Sequence, residues 1–269
     1  MSGFSSSWLS LREPYDRRAR NGAVLEAVRS WAAGRSSVAV VDLACGLGST
    51  LRGVTESLPR RQSWRLTDND LSLLARAADL ARPPDLTVTA VPVDLARDLE
   101  AALDGPVELI TTSALLDLVS HDWLDRLVTE VAARRLPIYA ALSYDGLATL
   151  EPADPFDGAV IDAVNQHQRR DKGFGPALGP DAAATAPERF EAIGYQVVQG
   201  ASDWVFGPKD TEIQTEVLTG WAVAARETDA SSIGEIINWL ARRRDHIAAG
   251  RSMMRVGHVD FFAQPTATR

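Results

Sequence analysis

The chain has 269 residues, 45% of them hydrophobic and 24% charged, with a net charge of −8 and a single cysteine. Length and composition fit one globular domain carrying insertions, leave no apolar run long enough for a membrane helix, and disfavour nucleic acid and anionic membrane surfaces as partners. The lone thiol, Cys45, excludes an internal disulfide and a multi-cysteine metal centre, so no metal is expected.

The first twenty residues, MSGFSSSWLSLREPYDRRAR, place their arginines after the candidate apolar residues. That is the wrong order for a secretory signal, and cytoplasmic residence is expected. The spacing predicts a helix over 16–31, a β-branched strand over 37–43 and helical spacing again over 48–58. Strands near 64–67, 86–91 and 107–112 alternate with helices over 71–81 and 123–134, and an apolar strand follows over 136–143. Continuous apolar strands alternating with helices predict a parallel sheet covered on both faces. After Ser143 the alternation breaks. The Pro/Gly-rich stretches EPADPFDG and KGFGPALGP flank a helix over 156–168, and another helix begins near Pro180. A strand over 195–207, helices over 212–226 and 233–247 and a strand over 252–264 close the chain, the late strands pointing to an antiparallel pair at one sheet edge.

The strongest local signal is VVDLACGLGSTLR, residues 40–52. Asp42 ends a buried strand, and Gly46 and Gly48 let the backbone turn tightly and approach a ligand that side chains would block. A diphosphate loop needs a third glycine near position 51, where Leu51 stands, and no Gly-Lys-Ser/Thr follows for a P-loop. The segment Asp42-Leu43-Ala44-Cys45-Gly46-Leu47-Gly48 resembles motif I of the class I S-adenosylmethionine (SAM)-dependent methyltransferases, Asp/Glu-x-Gly-x-Gly-x-Gly, with Ala44 in place of the first glycine. Three later segments resemble the same family: Asp68-Asn69-Asp70 ahead of LSLLARA, then Val93-Asp94-Leu95, then Thr112-SALLDL-Val119, its motif IV.

This resemblance implies a Rossmann-like, seven-stranded, mostly parallel α/β sheet in the order 3-2-1-4-5-7-6 with helices on both faces. It implies one domain over 1–269, with an N-terminal helical cap over 1–36 and lid insertions over 145–193 and 208–250. It also implies SAM as cofactor, S-adenosylhomocysteine (SAH) as product, and methyl transfer to a small-molecule acceptor by a monomer or homodimer. The cofactor candidates are Asp42, Ala44, Cys45, Gly46, Gly48 and Ser49 in the turn; Asp68 and Asn69 for the ribose hydroxyls; Asp94 and Leu95 for adenine; Ser113 and Leu115 beside the methionine part. Asp68 and Asp70 each read as a diol acceptor or a helix cap, with Asp68 favoured for ribose. Asp94 is likewise cap or ligand, and Arg52 a surface residue or an anion holder.

On the substrate side, Arg12, Tyr15 and Arg20 either begin an exposed helix or close the site and hold a carboxylate. Tyr144, Phe174, Asp203 and Trp204 fall at strand or loop ends on the cofactor side, with core packing the other reading of Trp204; Asp117, in the segment resembling motif IV, is a further substrate candidate; His258, inside the last strand, reads as structural. His167 and Asp171 are spaced i, i+4, which places them on one helix face, and an imidazole titrates near neutrality, so this pair is the candidate base. Alternatives are aminopropyl transfer from decarboxylated SAM, a nicotinamide dehydrogenase, and a non-catalytic SAM-binding protein.

Overall fold

A computed structural model describes residues 4–79 and 83–266. Two helices, α1 (Ser6–Ala19) and α2 (Gly22–Ala32), stand where one helix over 16–31 was predicted. The chain breaks at Arg20-Asn21 because Asn21 is a full cap: its Oδ1 accepts from the Ala23 and Val24 amides at 3.0 and 3.1 Å, and its own amide donates to Asp260 at 3.0 Å.

Strand β1 (Ser37–Leu43) leads through the glycine turn into the short α3 (Ser49–Val54). Then come β2 (Arg61–Asp68), α4 (Leu71–Ala78), β3 (Leu86–Pro92), α5 (Leu99–Ala102), β4 (Leu109–Ser113) and α6 (His121–Ala133). The helix predicted over 71–81 is α4, which ends at Ala78 with Asp79 as its C-cap; positions 80 and 81 of that expectation lie outside the described residues. Strand β5 (Ile138–Glu151) is followed by α7 (Asp157–Gln168), α8 (Ala182–Ala192), β6 (Tyr195–Ala201) and β7 (Trp204–Phe206). Last are α9 (Thr211–Thr228), α10 (Ile233–Ala248) and β8 (Met253–Pro265).

The sheet runs β3-β2-β1-β4-β5-β8-β6, with β7 also paired to β8; β1 to β5 are parallel, and β8 is antiparallel to β5, β6 and β7. This is the expected order with one strand more, because the stretch over 195–207 is two strands. At the break Ser202 donates its amide to the His258 carbonyl at 2.8 Å, and Asp203 accepts from the His258 amide at 3.1 Å.

Alternating side chains feed the two faces. Val41, Leu43, Ile138, Ala140 and Phe261 pack on one side with Leu124, Leu127 and Phe190 of α6 and α8. Val38, Val40, Tyr139 and Phe262 pack on the other with Val24 and Val28 of α2 and Leu74 of α4. Each such buried aliphatic or aromatic side chain contributes about 1.5–3 kcal/mol. Strand β5 then shifts register at Leu142 (φ 56°) and Gly146 (φ 82°) and continues past the main sheet. A Cβ on Gly146 would lie 2.8 Å from Pro180, so only glycine lets the strand pass there. Its extension carries a third core, in which Leu150, Met254 and Phe206 pack with α7, α9 and α10. Fully buried Arg243 of α10 donates to Asp157 at 3.0 Å, and Trp239 donates to the same carboxylate at 2.8 Å, tying α10 to the start of α7. No described helix is long and apolar enough to cross a membrane.

Candidate active site

Three residues of the β1–α3 turn adopt left-handed backbone, Ala44 (φ 52°), Gly46 (φ 52°) and Gly48 (φ 76°), folding the chain back at the carboxyl end of β1. A cavity of about 850 Å³ opens above this turn, walled by the carboxyl ends of β1 to β4, the face of α1 and the loop after α7. Ala44, Cys45, Gly46 and Ser49 line it, whereas Gly48 acts through backbone geometry alone. Burial, followed by the charges of Asp42 and Asp68, pushes the Cys45 thiol well above its ordinary range, so it is an apolar wall rather than a nucleophile.

Asp68 ends β2 at the cavity wall. Its Oδ2 accepts from the Gly46 amide at 2.8 Å and its Oδ1 from the Asp70 amide at 2.9 Å, so one carboxylate fixes the glycine turn and the next turn together. Asp70 is the cap of α4, accepting from the Ser72 and Leu73 amides at 2.9 and 3.2 Å. Asn69 and Leu95 also line the wall. Asp94 points into its own turn, accepting from the Ala96 amide at 3.1 Å and pairing with Arg97, and is not part of the lining. Ser113, the last residue of β4, and Leu115 just past it line the cavity, and among the described residues the buried Ser113 Oγ has no partner.

Helix α1 forms the roof. A Cβ on Gly46 would sit 3.4 Å from Leu9, and Arg52 is clamped to Glu13 (Nη2–Oε2 2.6 Å) while donating to the Leu47 carbonyl at 2.8 Å. Arg52 therefore pins α1 to α3 instead of holding an anion. Arg12 lines the cavity. Its Nε donates to Asp16 at 2.9 Å, its guanidinium lies 4.9 Å from the Trp204 ring centroid, and Trp204 Nε1 donates to Asp16 at 2.9 Å. Trp204 is thus a core residue that holds Arg12 from behind.

Tyr15 and Arg20 fall elsewhere. The Tyr15 hydroxyl donates to Asp210 at 3.0 Å and its ring packs on Phe206. Arg20 is buried below the turn, donating to the Tyr139 hydroxyl at 3.0 Å, which donates to Asp260 at 3.1 Å. Gly53 leaves room for it, since a Cβ there would lie 2.5 Å from the Arg20 Nε. Asp42 also lies beneath the turn, fully buried. Thr111 donates to its Oδ1 at 2.7 Å, its Oδ2 meets no hydrogen-bond geometry among the described residues, and burial raises its pKa to about 7 against the opposing pull of Thr111, Arg20 and Thr50. It supports the turn from below and does not reach the cavity lining.

The predicted His167–Asp171 pair does not form one face, because α7 ends at Gln168. Asp171 lies in the following loop, where its Oδ1 accepts from the Gly173 and Gly175 amides at 2.6 and 3.0 Å, and it lines the cavity. His167 faces away from the cavity: its Nδ1 lies 3.3 Å from the Lys172 ammonium and its Nε2 3.0 Å from Glu227. An ammonium only donates, so Nδ1 accepts and Nε2–H donates to Glu227.

Phe174 lines the cavity and packs edge-on against Trp123 at 5.5 Å. Tyr144 is buried with its hydroxyl donating to Asn165 at 2.8 Å. Asp117 is 6% exposed, is not part of the cavity lining, and among the described residues its buried Oδ1 has no partner; burial raises its pKa to about 6, opposed by its hydrogen bonds and by Arg12 and Lys172. His258 is buried and neutral, its pKa lowered to about 3 by burial, and its Nδ1–H donates to the Val256 carbonyl at 3.0 Å.

Sequence reasoning missed Leu9, Asp16 and Lys172 as wall residues. The i, i+3 and i, i+4 spacing of Leu9, Arg12 and Asp16 was the available signal for the first two. Among the described residues none of α9 or α10 lines the cavity; of 145–193 only the loop at 171–174 does.

The sheet order, the antiparallel edge and the left-handed turn at the end of β1 give the fold of the class I SAM-dependent methyltransferases. Among solved structures, the chain superposes on the YcgJ protein from Bacillus subtilis at a TM-score of 0.53 and 14% identity, over 92% of this chain and 100% of that one. A cyclopropane-fatty-acyl-phospholipid synthase-like protein from Lactobacillus casei gives 0.53 at 12% identity over 97% and 94%. A protein from Anaeromyxobacter dehalogenans proposed to be a type II methyltransferase gives 0.50 at 17% identity over 92% and 97%. No protein-family model matches the sequence, and no curated protein matches it.

Proposed function

We propose that the chain is a SAM-dependent methyltransferase acting on a small molecule in the cytoplasm. The observation that carries this reading is Asp68, a carboxylate at the cavity wall held by the glycine turn itself. An anionic group there suits a ribose diol, which donates two hydrogen bonds, and repels a pyrophosphate; Leu51, 6% exposed, fills the place where a diphosphate loop has glycine. The about 850 Å³ cavity lies within the size range of pockets that bury drug-sized ligands.

When bound, SAM supplies a methyl group already activated on a sulfonium. The chain's part is to bind, orient and exclude water. Asp68 and Asn69 hold the ribose side, Leu95 and Phe174 the adenine side, and Ala44, Cys45, Ser113 and Leu115 flank the methionine side. Of the candidate proton acceptors only Asp171 lines the cavity; His167 and Asp117 do not.

Calorimetry with SAM and SAH tests the binding half: saturable heat supports it, and no heat or thermal shift with either ligand removes it. SAH formation on incubation with metabolite fractions then separates an enzyme from a SAM-binding protein without turnover.

A further inference from the structure

Only two of the 28 Lys and Arg residues are lysines, Lys172 and Lys209, and of these Lys172 lines the cavity. The difference is chemical, because a guanidinium keeps its proton whereas an amine can give it up. The loop that carries Lys172 is fixed on both sides. Arg169 pairs with Asp181 at 3.1 Å, Arg170 donates to the Glu227 carbonyl at 2.7 Å, and Asp171 commits its Oδ1 to the Gly173 and Gly175 amides. Further on, the loop closes over the end of β4, where Leu178 donates its amide to the Val119 carbonyl at 2.7 Å and Gly179 donates to that of Asp117 at 2.9 Å. Lys172 is thereby held toward the Ser113–Leu115 wall, and its charge reaches Asp117.

Among the described residues no carboxylate lies at ion-pair distance from Lys172; its polar contact is His167, whose Nδ1 is 3.3 Å from Nζ and whose Nε2–H donates to Glu227 at 3.0 Å. Held in that tautomer, the imidazole accepts one N–H from Lys172 and leaves the lone pair of the neutral amine uncommitted. Burial, followed by the charge of Arg170, lowers the Lys172 pKa, while Glu227 and Asp117 pull the other way.

Building on the SAM-dependent reading above, we infer that Lys172 is the base that takes the proton of a hydroxyl or ammonium acceptor, with His167 and Glu227 as the residues that position it. The proton goes to the Nζ lone pair, the electron pair freed on the acceptor forms the bond to the methyl carbon, and the carbon–sulfur pair stays on sulfur. The Lys172 ammonium then gives its proton to water, so a proton is released with each methyl transferred.

Trace labelling of the full chain with acetic anhydride needs no identified acceptor: only a neutral amine reacts, so mass spectrometry of the peptides against pH titrates Lys172 directly. Lys172 should titrate below an added Nα-acetyl-lysine amide standard. Its midpoint should fall further when SAM replaces SAH, because the two differ by a methyl and the positive charge it brings to sulfur. His167→Ala, which frees Nζ from its seat, should shrink that difference and leave SAH affinity in calorimetry unchanged. With a low-molecular-weight metabolite fraction that supports SAH formation, Lys172→Arg, which keeps the charge and cannot release its proton, lowers the rate at least about 100-fold. Lys172 titrating with the standard, equal midpoints in the SAM and SAH complexes, or an undiminished rate in Lys172→Arg overturns the inference while leaving cofactor binding intact. No binding of SAM or SAH removes the underlying functional reading, and this inference with it.

Discussion

Asp68 and Asp70 are two residues apart and chemically identical, yet one ties two turns together at the cavity wall and the other caps a helix. Asp68→Ala removes the acceptor for two backbone amides and for the proposed diol, so SAH affinity falls at least about tenfold in calorimetry. Asp70→Ala instead loses a cap, about 1 kcal/mol in urea denaturation, with a smaller change in SAH affinity. Reversed outcomes would mean the two roles are exchanged. The sequence left both readings open for both residues because each follows a strand and precedes a helix; only the position of the cap decides. His167 misled for a related reason: i, i+4 spacing places residues on one face only while the helix lasts, and α7 stops between the two. Asp42 carries the pH prediction. Its pKa rises from 3.8 to about 7 in the folded protein, so the fold holds a proton that the unfolded chain releases. The stability this gives is full below pH 3.8 and is lost as pH rises through about 7, up to about 4 kcal/mol at about 1.4 kcal/mol per pH unit. Asp117 adds a change of the same sign up to about pH 6. Asp42→Asn should flatten the decline in urea midpoint between pH 5 and pH 8, and an undiminished decline would show that Asp42 stays ionised.

Between elements, the junction of α1, α2 and β6 shows how one close contact sets a chain direction. Gly200 of β6 faces Asn21 so closely that a Cβ would fall 2.4 Å from its Nδ2, and that Nδ2 donates to the Ala201 carbonyl at 2.9 Å. Gly200→Ala pushes the cap of α2 off its seat, an overpacking cost of about 1–3 kcal/mol. Gly22→Ala, where a Cβ meets nothing within 4 Å, should leave stability unchanged or raise it by about 0.4–1 kcal/mol. Equal urea midpoints for the two variants would contradict this packing. The elements the sequence made legible are those whose hydrophobic period is local: β1, β4, α6 and α10 follow their apolar patterns closely. The junctions were harder. The Arg20-Asn21 break carries a cap residue followed by glycine, but helical spacing on either side masks it. The split between β6 and β7 hides inside an alternating run, since Asp203 ends pairing through contacts with β8, 55 residues away in sequence at His258.

At the scale of the molecule, the cavity is made by segments that meet only after the sheet is assembled: α1 over the glycine turn, the ends of β2 and β4, and the loop after α7. Individual strand ends were legible because each follows an apolar run, whereas the roof was not: in WLSLREPYDRRAR the spacing of Leu9, Arg12 and Asp16 marks one helix face but does not tell that Leu9 will cover Gly46 or that Trp204 will hold Arg12. The third core, built on the extended end of β5, keeps α9 and α10 packed on α7 and out of the cavity. This division makes a prediction for hydrogen exchange. A ligand filling the cavity bridges all its walls, so local opening of each wall must break ligand contacts as well. Saturating SAH should therefore slow amide exchange together in residues 9–16, 44–49, 68–73 and 113–115, and at 171–174, while α9 and α10 exchange as in the free protein. Protection confined to 44–49 would show that the turn alone holds the ligand and that α1 and the loop do not close on it; protection spread through α9 and α10 would show that the third core is coupled to the site.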